Sequence, residues 1–309
     1  MSNTVIKATE SVMKEIERYY SAFLLDKIPN GALFAAKLPD CTITAYKSGK
    51  VLFQGKAAGQ EATRWQEQEK ENPIFTLTKS DSTNLPANFS SLSIIGSDEV
   101  GTGDYFGPIT VVAAYVDKEK IPLLQQLGVK DSKGLTDEKI IHIAKQLITE
   151  IPYSLLTLHN EKYNQLQASG MSQGKMKALL HNQAIIKLLD KIAPVRPEAI
   201  LIDQFVESTT YYNYLKGEKT IVKESVYFHT KAEGLHLAVA AASIIARYAF
   251  LKAMNSLSQQ AGMELPKGAG AQVDIIAAKL IETKGLSALS KYAKLHFANT
   301  EKAKKLANM

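Results

Sequence analysis

The sequence predicts an α/β domain preceded by a smaller domain that combines helices with a hairpin. Three observations lead there. The chain has 309 residues, and roughly 150 residues per domain suggests two. Residues 69–90 change character, with Glu69-Lys70-Glu71, Asn72-Pro73, Ser80-Asp81-Ser82 and Leu85-Pro86, the polar and proline-containing chemistry of a linker. From residue 91, short apolar runs alternate with helical stretches, the pattern of α/β folds. The expected organisation is a first domain over 1–68, a linker over 69–90 and a second domain over 91–309.

The elements follow in order. Val12, Ile16, Tyr19, Tyr20, Phe23 and Leu24 recur at helical spacing, which predicts an amphipathic helix over 8–28, ended by Pro29-Asn30-Gly31. Strands are expected at Leu33 to Lys37, Thr42 to Tyr46 and Val51 to Gln54, the last two joined by the hairpin signal Lys47-Ser48-Gly49-Lys50. Gly55 to Gln68 reads as helix. In the second domain, Leu92 to Ser97, Ile109 to Val116, Ile151 to Leu158, Ala199 to Ile202 and Thr220 to His229 read as strands. Helices are expected near 172–192 and 235–261, with two more filling 272–306.

Composition narrows the function classes. Apolar residues make up 45% and charged residues 22%, which excludes wholesale disorder. Lys and Arg number 37 against 31 Asp and Glu, giving +6 and a pI near 9.0; this balance favours polyanionic partners. The one cysteine, Cys41, excludes an intramolecular disulfide and a Cys-rich metal site and fits a reducing compartment. Met1 to Glu10 has no apolar core of a secretory signal. The most apolar run, Leu237 to Ala246, is shorter than the ~20 residues that cross a bilayer. A cytoplasmic protein with no membrane partner is the expectation. Residues 284–309 carry six lysines against Glu301, a net +5; this reads either as a solvated helix face or as a footprint for phosphates.

The most informative stretch is Ile94-Ile95-Gly96-Ser97-Asp98-Glu99-Val100-Gly101-Thr102-Gly103-Asp104-Tyr105-Phe106-Gly107-Pro108. Two adjacent acids end an apolar strand. Neighbouring carboxylates repel, and burial raises their pKa values, a cost that a divalent cation would offset. Successive side chains on a regular strand point to opposite faces, so Asp98 and Glu99 share an ion only if the strand ends or bulges between them. Alone, the pair also reads as a polar strand end before a turn. Phe106 occupies the third glycine position of a dinucleotide loop and a strand follows, so the glycines do not make that motif. They suit close approach of a sugar-phosphate backbone. Asp203 ends a buried strand, where α/β sheets place their sites, although turn aspartates are common. Glu233 stands before the long helix, where its dipole alone also favours an acid. Four such acids suggest a cluster for two metal ions about 3.5–4 Å apart, and oxygen-only ligands favour Mg²⁺ or Mn²⁺. There is no H-E-x-x-H and no G-x-S-x-G.

These residues resemble the type 2 family of ribonucleases H, and most closely its ribonuclease HIII branch. The resemblance covers about 91–300 and rests on Ile95 to Pro108, Lys130-Asp131-Ser132-Lys133, Leu201-Ile202-Asp203, Lys231-Ala232-Glu233 and Val239 to Arg247. It implies a ribonuclease H fold, a mixed five-stranded sheet flanked by helices. It also implies an endonuclease that cuts the RNA strand of RNA–DNA hybrids with Mg²⁺ or Mn²⁺ held by Asp98, Glu99, Asp203 and Glu233, leaving 5′-phosphate and 3′-hydroxyl ends. Asp98 would bridge the two ions. In the related HII enzymes the fourth acid is usually aspartate, and a Gly-Arg/Lys-Gly follows the acid pair where this chain has Gly101-Thr102-Gly103. The same resemblance implies a small α+β, TATA-binding-protein-like domain ahead of the nuclease. Substrate contacts are expected at Gly101, Thr102, Gly103, Tyr105, Ser132 and Lys133, and at Tyr46, Lys47 and Lys50 of the first domain, which carries +3 over residues 1–65. Tyr105 and Lys133 also read as a core aromatic and a solvated lysine. A monomer is the default. The competing readings are an HII-like enzyme acting at single ribonucleotides embedded in DNA, a hybrid-binding protein without catalysis, and a carboxylate-metal phosphatase, for which no D-x-D is evident.

Overall fold

A computed structural model of the chain describes residues 2–8, 10–46, 48–66, 85–86, 88–130 and 134–308. Most of the expected linker, and Lys47, Ser132 and Lys133, lie outside the described residues. Two compact units comprise residues 1–78 and 79–309.

The first unit contains β1 (Ser2–Lys7), α1 (Glu10–Tyr19), β2 (Ala32–Lys37), β3 (Thr42–Tyr46), β4 (Lys50–Gly55) and α2 (Ala58–Gln66). Its antiparallel sheet has the order β1-β4-β3-β2. Met13 and Ile16 of α1 and Ala62 and Trp65 of α2 form one core with Phe34, Ile43, Val51 and Phe53 of the sheet. Burying such a set supplies most of the drive to fold. Trp65 Nε1 donates to the Tyr20 hydroxyl (3.1 Å), and that hydroxyl donates to Glu61 Oε2 (2.5 Å), tying the end of α1 to α2. The helix expected over 8–28 is therefore corrected to Glu10–Tyr19. Beyond it the backbone leaves the helix to pair with β2: Leu24 bridges Ala36 and Leu25 N–H donates to Ala35 O (2.8 Å). Sheet-edge hydrogen bonds win over the helical spacing, and Phe23, Leu24 and Ile28 are left exposed. β1, which pairs with β4, has no counterpart among the expected elements.

The second unit holds β5 (Ile94–Val100), β6 (Ile109–Val116), α3 (Ile121–Gln126), α4 (Asp137–Glu150), β7 (Tyr153–Leu158), α5 (Asn160–Ala168), α6 (Gln173–Ile192), β8 (Ala199–Asp203), α7 (Ser208–Tyr214), β9 (Val226–His229), α8 (Leu237–Ala261), α9 (Ala271–Lys284), α10 (Leu289–Tyr292) and α11 (Ala298–Leu306). The sheet order is β7-β6-β5-β8-β9. β7, β6 and β5 are antiparallel, whereas β5, β8 and β9 run parallel. This is the expected mixed five-stranded sheet. One face packs against α4 and α8, and the other against α6 and α7. A third cluster joins Tyr105 and Phe106 to Phe250 of α8 and to α9 and α10.

Several boundaries differ from expectation. The alternation over 220–229 yields only the short β9, because Asn182 of α6 takes the backbone upstream of it: Val222 N–H donates to Asn182 Oδ1 and Asn182 Nδ2 donates to Thr220 O. Residues 272–306 form three helices rather than two. Helix α4 also has no expected counterpart, although Thr136 caps it and Ile140, Ile143, Ala144 and Leu147 line one buried face. The apolar run at 237–246 continues as the 25-residue α8, which by length and composition could cross a membrane. Its residues Ala238 to Ala246 are buried, in the core shared with β5, β6 and α4.

The alanines of α8 serve close approach. At Gly96 of β5, an added Cβ would overlap the backbone of Ala238 and Val239. Strand and helix thus meet main chain to main chain two residues before Asp98. We predict that Gly96→Ala lowers the unfolding free energy by about 1–3 kcal/mol, the range of an overpacked core. Gly103→Ala, where nothing lies within 4 Å of the added Cβ, should stay within about 0.5 kcal/mol. Urea denaturation of the two variants makes the comparison; equal midpoints would refute the close approach.

Candidate active site

Asp98 and Glu99 lie on a regular strand. The pairing of β5 with β6 runs without interruption through Asp98↔Val112, Glu99↔Val111 and Val100↔Thr110, so there is no bulge between the acids. Pairing with β8 stops at Ser97↔Ile202. The acid pair therefore begins where the parallel half of the sheet ends, and its two side chains enter different layers.

Asp98 faces α8. It is buried, Glu99 N–H donates to its Oδ1 (2.7 Å), and Ser243 of α8 supplies a further hydrogen bond. Burial, then the charge of Glu99, with a smaller contribution from Asp203, pushes its pKa up to about 8 against the lowering effect of Ser243. Its ionisation is thus a cost of the fold: the stability gained by keeping Asp98 neutral is complete below the ordinary carboxylate range and is lost as pH rises through about 8.

Glu99 faces α6, where Lys177 and His181 stand one turn apart. Lys177 Nζ donates to Glu99 Oε1 (2.7 Å) and His181 Nε2 lies 2.9 Å from Oε2. The other ring nitrogen of His181 is 2.7 Å from Ser97 Oγ, which donates to Val112 O. Phe205 stacks on His181 and lies under the Lys177 ammonium. Burial would raise the Glu99 pKa, but the hydrogen bonds and charges of His181 and Lys177 outweigh it and hold the carboxyl below its usual range. Adjacent acids are thereby driven in opposite directions.

A cleft of about 480 Å³ is lined by Asp98, Glu99, Asp203, Ser243, Arg247, Lys267 and the loop Val100 to Asp104. Asp203 reaches it from the end of β8, and its Oδ1 accepts from Ala232 N–H (2.9 Å). Glu233, the next residue, is buried on the short turn Ala232–Gly234 and does not line the cleft. Among the described residues, no three acidic, histidine or cysteine side chains already enclose a point where a metal could sit. The donor chemistry nevertheless suits Mg²⁺ or Mn²⁺: Asp98 and Asp203 offer hard oxygens to one cleft, and the high pKa of Asp98 marks negative charge short of compensation.

The loop after the acids is anchored by the C-terminal helices. Gly101 has φ +96, and a Cβ there would collide with Pro108 O. Gln173 Nε2 donates to Thr102 O (3.1 Å). Gly268 N–H donates to Asp104 Oδ1 (2.6 Å) and Tyr105 N–H to Gly268 O (2.9 Å). Lys294 Nζ donates to the carbonyls of Asp104 (2.8 Å) and Gly107 (2.5 Å). Lys294 is fully buried, so the solvated-face reading of the basic tail fails at this residue. Burial lowers its pKa to about 7, opposed by Asp104.

Of the expected substrate contacts, Gly101, Thr102 and Gly103 line the cleft. Tyr105 is corrected: its ring has 0% exposure, its hydroxyl pairs with Thr300 Oγ1 (3.1 Å), and it packs edge-on to Phe106, so it cannot stack on a sugar. In the first unit Tyr46 is half-buried and Lys50 exposed.

Comparison with known proteins is consistent with this architecture. The family model described as Ribonuclease HII matches residues 95–300, and a second, described as a domain of unknown function, matches 3–75. Ribonuclease HIII of Bacillus subtilis (strain 168) is 61% identical over 310 residues, covering 100% of this chain and 99% of the relative. The chain belongs to the ribonuclease HIII family. The ribonuclease HIII of Bacillus velezensis is 60% identical over 308 residues, covering 99% and 98% of the two chains. The crystal structure of Bst-RNase HIII in complex with Mn²⁺ shares 51% identity and a TM-score of 0.70, covering 99% of each chain. Ribonuclease H2 of Pyrococcus horikoshii OT3, at 23% identity, TM-score 0.58 and coverage of 70% of this chain and 99% of that one, shares the fold. As a ribonuclease HIII, the protein is an endoribonuclease of the ribonuclease H class.

Sequence reasoning missed four side chains around this ribonuclease HIII cleft: Lys177, His181, Arg247 and Lys267. The i, i+4 spacing of Lys177 and His181 was the available signal for a shared helix face; what they face came from a strand 78 and 82 residues earlier. Removing one partner of a buried ion pair costs about 3–5 kcal/mol, because the other charge is stranded. We predict a loss of that order for Lys177→Met, largely recovered in Lys177→Met/Glu99→Gln. Chemical denaturation of both measures it; a loss below about 1 kcal/mol, or no recovery, would contradict the buried pair.

Proposed function

We propose that this ribonuclease HIII hydrolyses the RNA strand of RNA–DNA hybrids at the Asp98 cleft, leaving 5′-phosphate and 3′-hydroxyl ends. The observation that carries the reading is the convergence of buried Asp98, Asp203 and the open main chain of the Gly101–Gly103 loop on one cleft; burial and neighbouring charge raise the Asp98 pKa there. Asp98 and Asp203 would hold the divalent ions, with Glu99 and Glu233 completing the set after side-chain adjustment. When bound, such ions make a water nucleophilic and stabilise charge on the leaving oxygen. The chain's own part is to fix the carboxylates on a rigid strand and to hold the ribose. The main chain of Gly101, Thr102 and Gly103 lines the cleft, which suits a contact to the 2′-hydroxyl that distinguishes RNA.

The first unit is proposed to bind the duplex, through exposed Lys50 and neighbouring Tyr46 and Lys47. Its match to a separate family model over 3–75 supports an independent role.

The test is cleavage of a labelled all-RNA strand paired with DNA, next to a duplex holding one ribonucleotide. Wild type should cut the first and lose activity on chelation. Asp98→Asn and Asp203→Asn should lose more than the ~10–100-fold typical of groups that only orient a ligand. A chain beginning at residue 86 should show raised KM with little change in kcat. Near-normal rates for Asp98→Asn at saturating Mg²⁺ would refute the site. Preference for the single ribonucleotide would favour HII-like specificity.

A further inference from the structure

The connection from β5 to β6 is gripped from outside the cleft. Its far end pairs, as a strand would, with the segment between α10 and α11. Phe106 bridges Ala293, Gly107 N–H donates to Tyr292 O (2.9 Å), and Lys294 N–H donates to Tyr105 O (2.9 Å). The Lys294 ammonium spans the same stretch, bonding the carbonyls of Asp104 and Gly107. Asn164 of α5 secures that segment in turn: its Nδ2 donates to the carbonyls of Ser290 and Ala293, and its Oδ1 accepts from Leu295 N–H. The near end is tied by Gln173, the first residue of α6. Its Nε2 donates to Thr102 O (3.1 Å) and to the hydroxyl of buried Tyr163 (3.1 Å). Three carbonyls of one connection, those of Thr102, Asp104 and Gly107, thus each meet a side-chain donor.

Stability is a poor reason for this arrangement. Lys294 has 0% exposure, and taking an ammonium out of water is costly. Both acceptors of its Nζ are neutral carbonyls, so no opposite charge offsets that cost at hydrogen-bond distance. An apolar side chain of similar length would fill the space at less expense, but it would not orient the backbone. A peptide plane turns as one unit, so fixing the Thr102 carbonyl also aims the Gly103 N–H. Gly103 has no side chain to hold it, and nothing lies within 4 Å of a Cβ added there. The tie at Thr102 and the span from Asp104 to Gly107 therefore define where this main chain points. Recognition by main chain demands placement to within about 0.5 Å.

We propose that Lys294 and Gln173 are positioning residues for ribose recognition, fixing the Gly101–Gly103 main chain in the course that meets a 2′-hydroxyl. Neither residue lines the cleft; both act through the loop. The inference rests on the reading that this loop contacts the ribose, and it assigns the sharpness of that contact to side chains on α6 and ahead of α11.

The test follows cleavage by the full-length protein at one mapped bond of an RNA–DNA hybrid. The bond is flanked either by riboses or by a 2′-deoxyribose placed in turn on each side. Wild type should cut the all-ribose bond at least ~10-fold faster than the more sensitive deoxy substrate, about the worth of one hydrogen bond. Lys294→Met and Gln173→Met should each reduce that ratio at least ~3-fold, a coupling of the size found between groups that act together. They should do so by slowing the all-ribose bond more than the deoxy one. Calorimetric Mn²⁺ affinity should be unchanged in both, showing that the acid cluster is intact. Gln173 is half-buried at a helix start, so its variant decides the matter even if Lys294→Met does not fold. Equal slowing of both substrates, which leaves the ratio at its wild-type value, overturns the positioning role while the ribose reading stands. A wild-type ratio near one removes the ribose reading itself, and the positioning role with it.

Discussion

Two neighbouring carboxylates on an unbroken strand must face different layers, and the site depends on what each layer offers. Toward α6, Glu99 meets Lys177 and His181 and stays ionised. Toward α8, Asp98 meets Ser243, and its burial together with the charges of Glu99 and Asp203 drives it toward its neutral form. Pairs of acids pushed apart in this way are a recurrent sign of a working site. The same split separates the two carboxylates: Glu99 is committed to cations of the protein, whereas burial and neighbouring negative charge raise the Asp98 pKa.

The rest of the second unit preserves that arrangement. Gly96 lets α8 sit directly on β5, which sets Ser243 beside Asp98 and carries Arg247 to the cleft edge. The third core cluster and the buried Lys294 hold the glycine loop against the C-terminal helices. A buried lysine bonded to two main-chain carbonyls is an expensive device. Its use here fixes the loop backbone independently of whatever occupies the cleft.

Much of this was legible in the sequence where local pattern and burial agree. The continuous apolar runs at Ile109 to Val116 and Ala199 to Ile202 are strands buried on both faces, and the Asp98-Glu99 pair announced a costly charge. Legibility failed where long-range contacts decide. Phe23 and Leu24 repeat at helical spacing, yet the edge of β2 captures that backbone. Lys294 sits in a basic tail and is buried. Lys177 and His181 have no meaning until α6 is laid against β5. Gln173 and Lys294 reach one loop from 71 and 190 positions away along the chain, and no local rule reveals it.

In the proposed site, the Asp98 carboxyl holds a proton near neutral pH and releases it to a divalent ion. Calorimetric titration of Mn²⁺ at pH 7, repeated in buffers of different ionisation enthalpy, counts the protons displaced on binding. About one proton should be released at pH 7, falling toward zero by about pH 9, with the release absent in Asp98→Asn. Tight Mn²⁺ binding at pH 7 with no proton released, or the same release from Asp98→Asn, would contradict it.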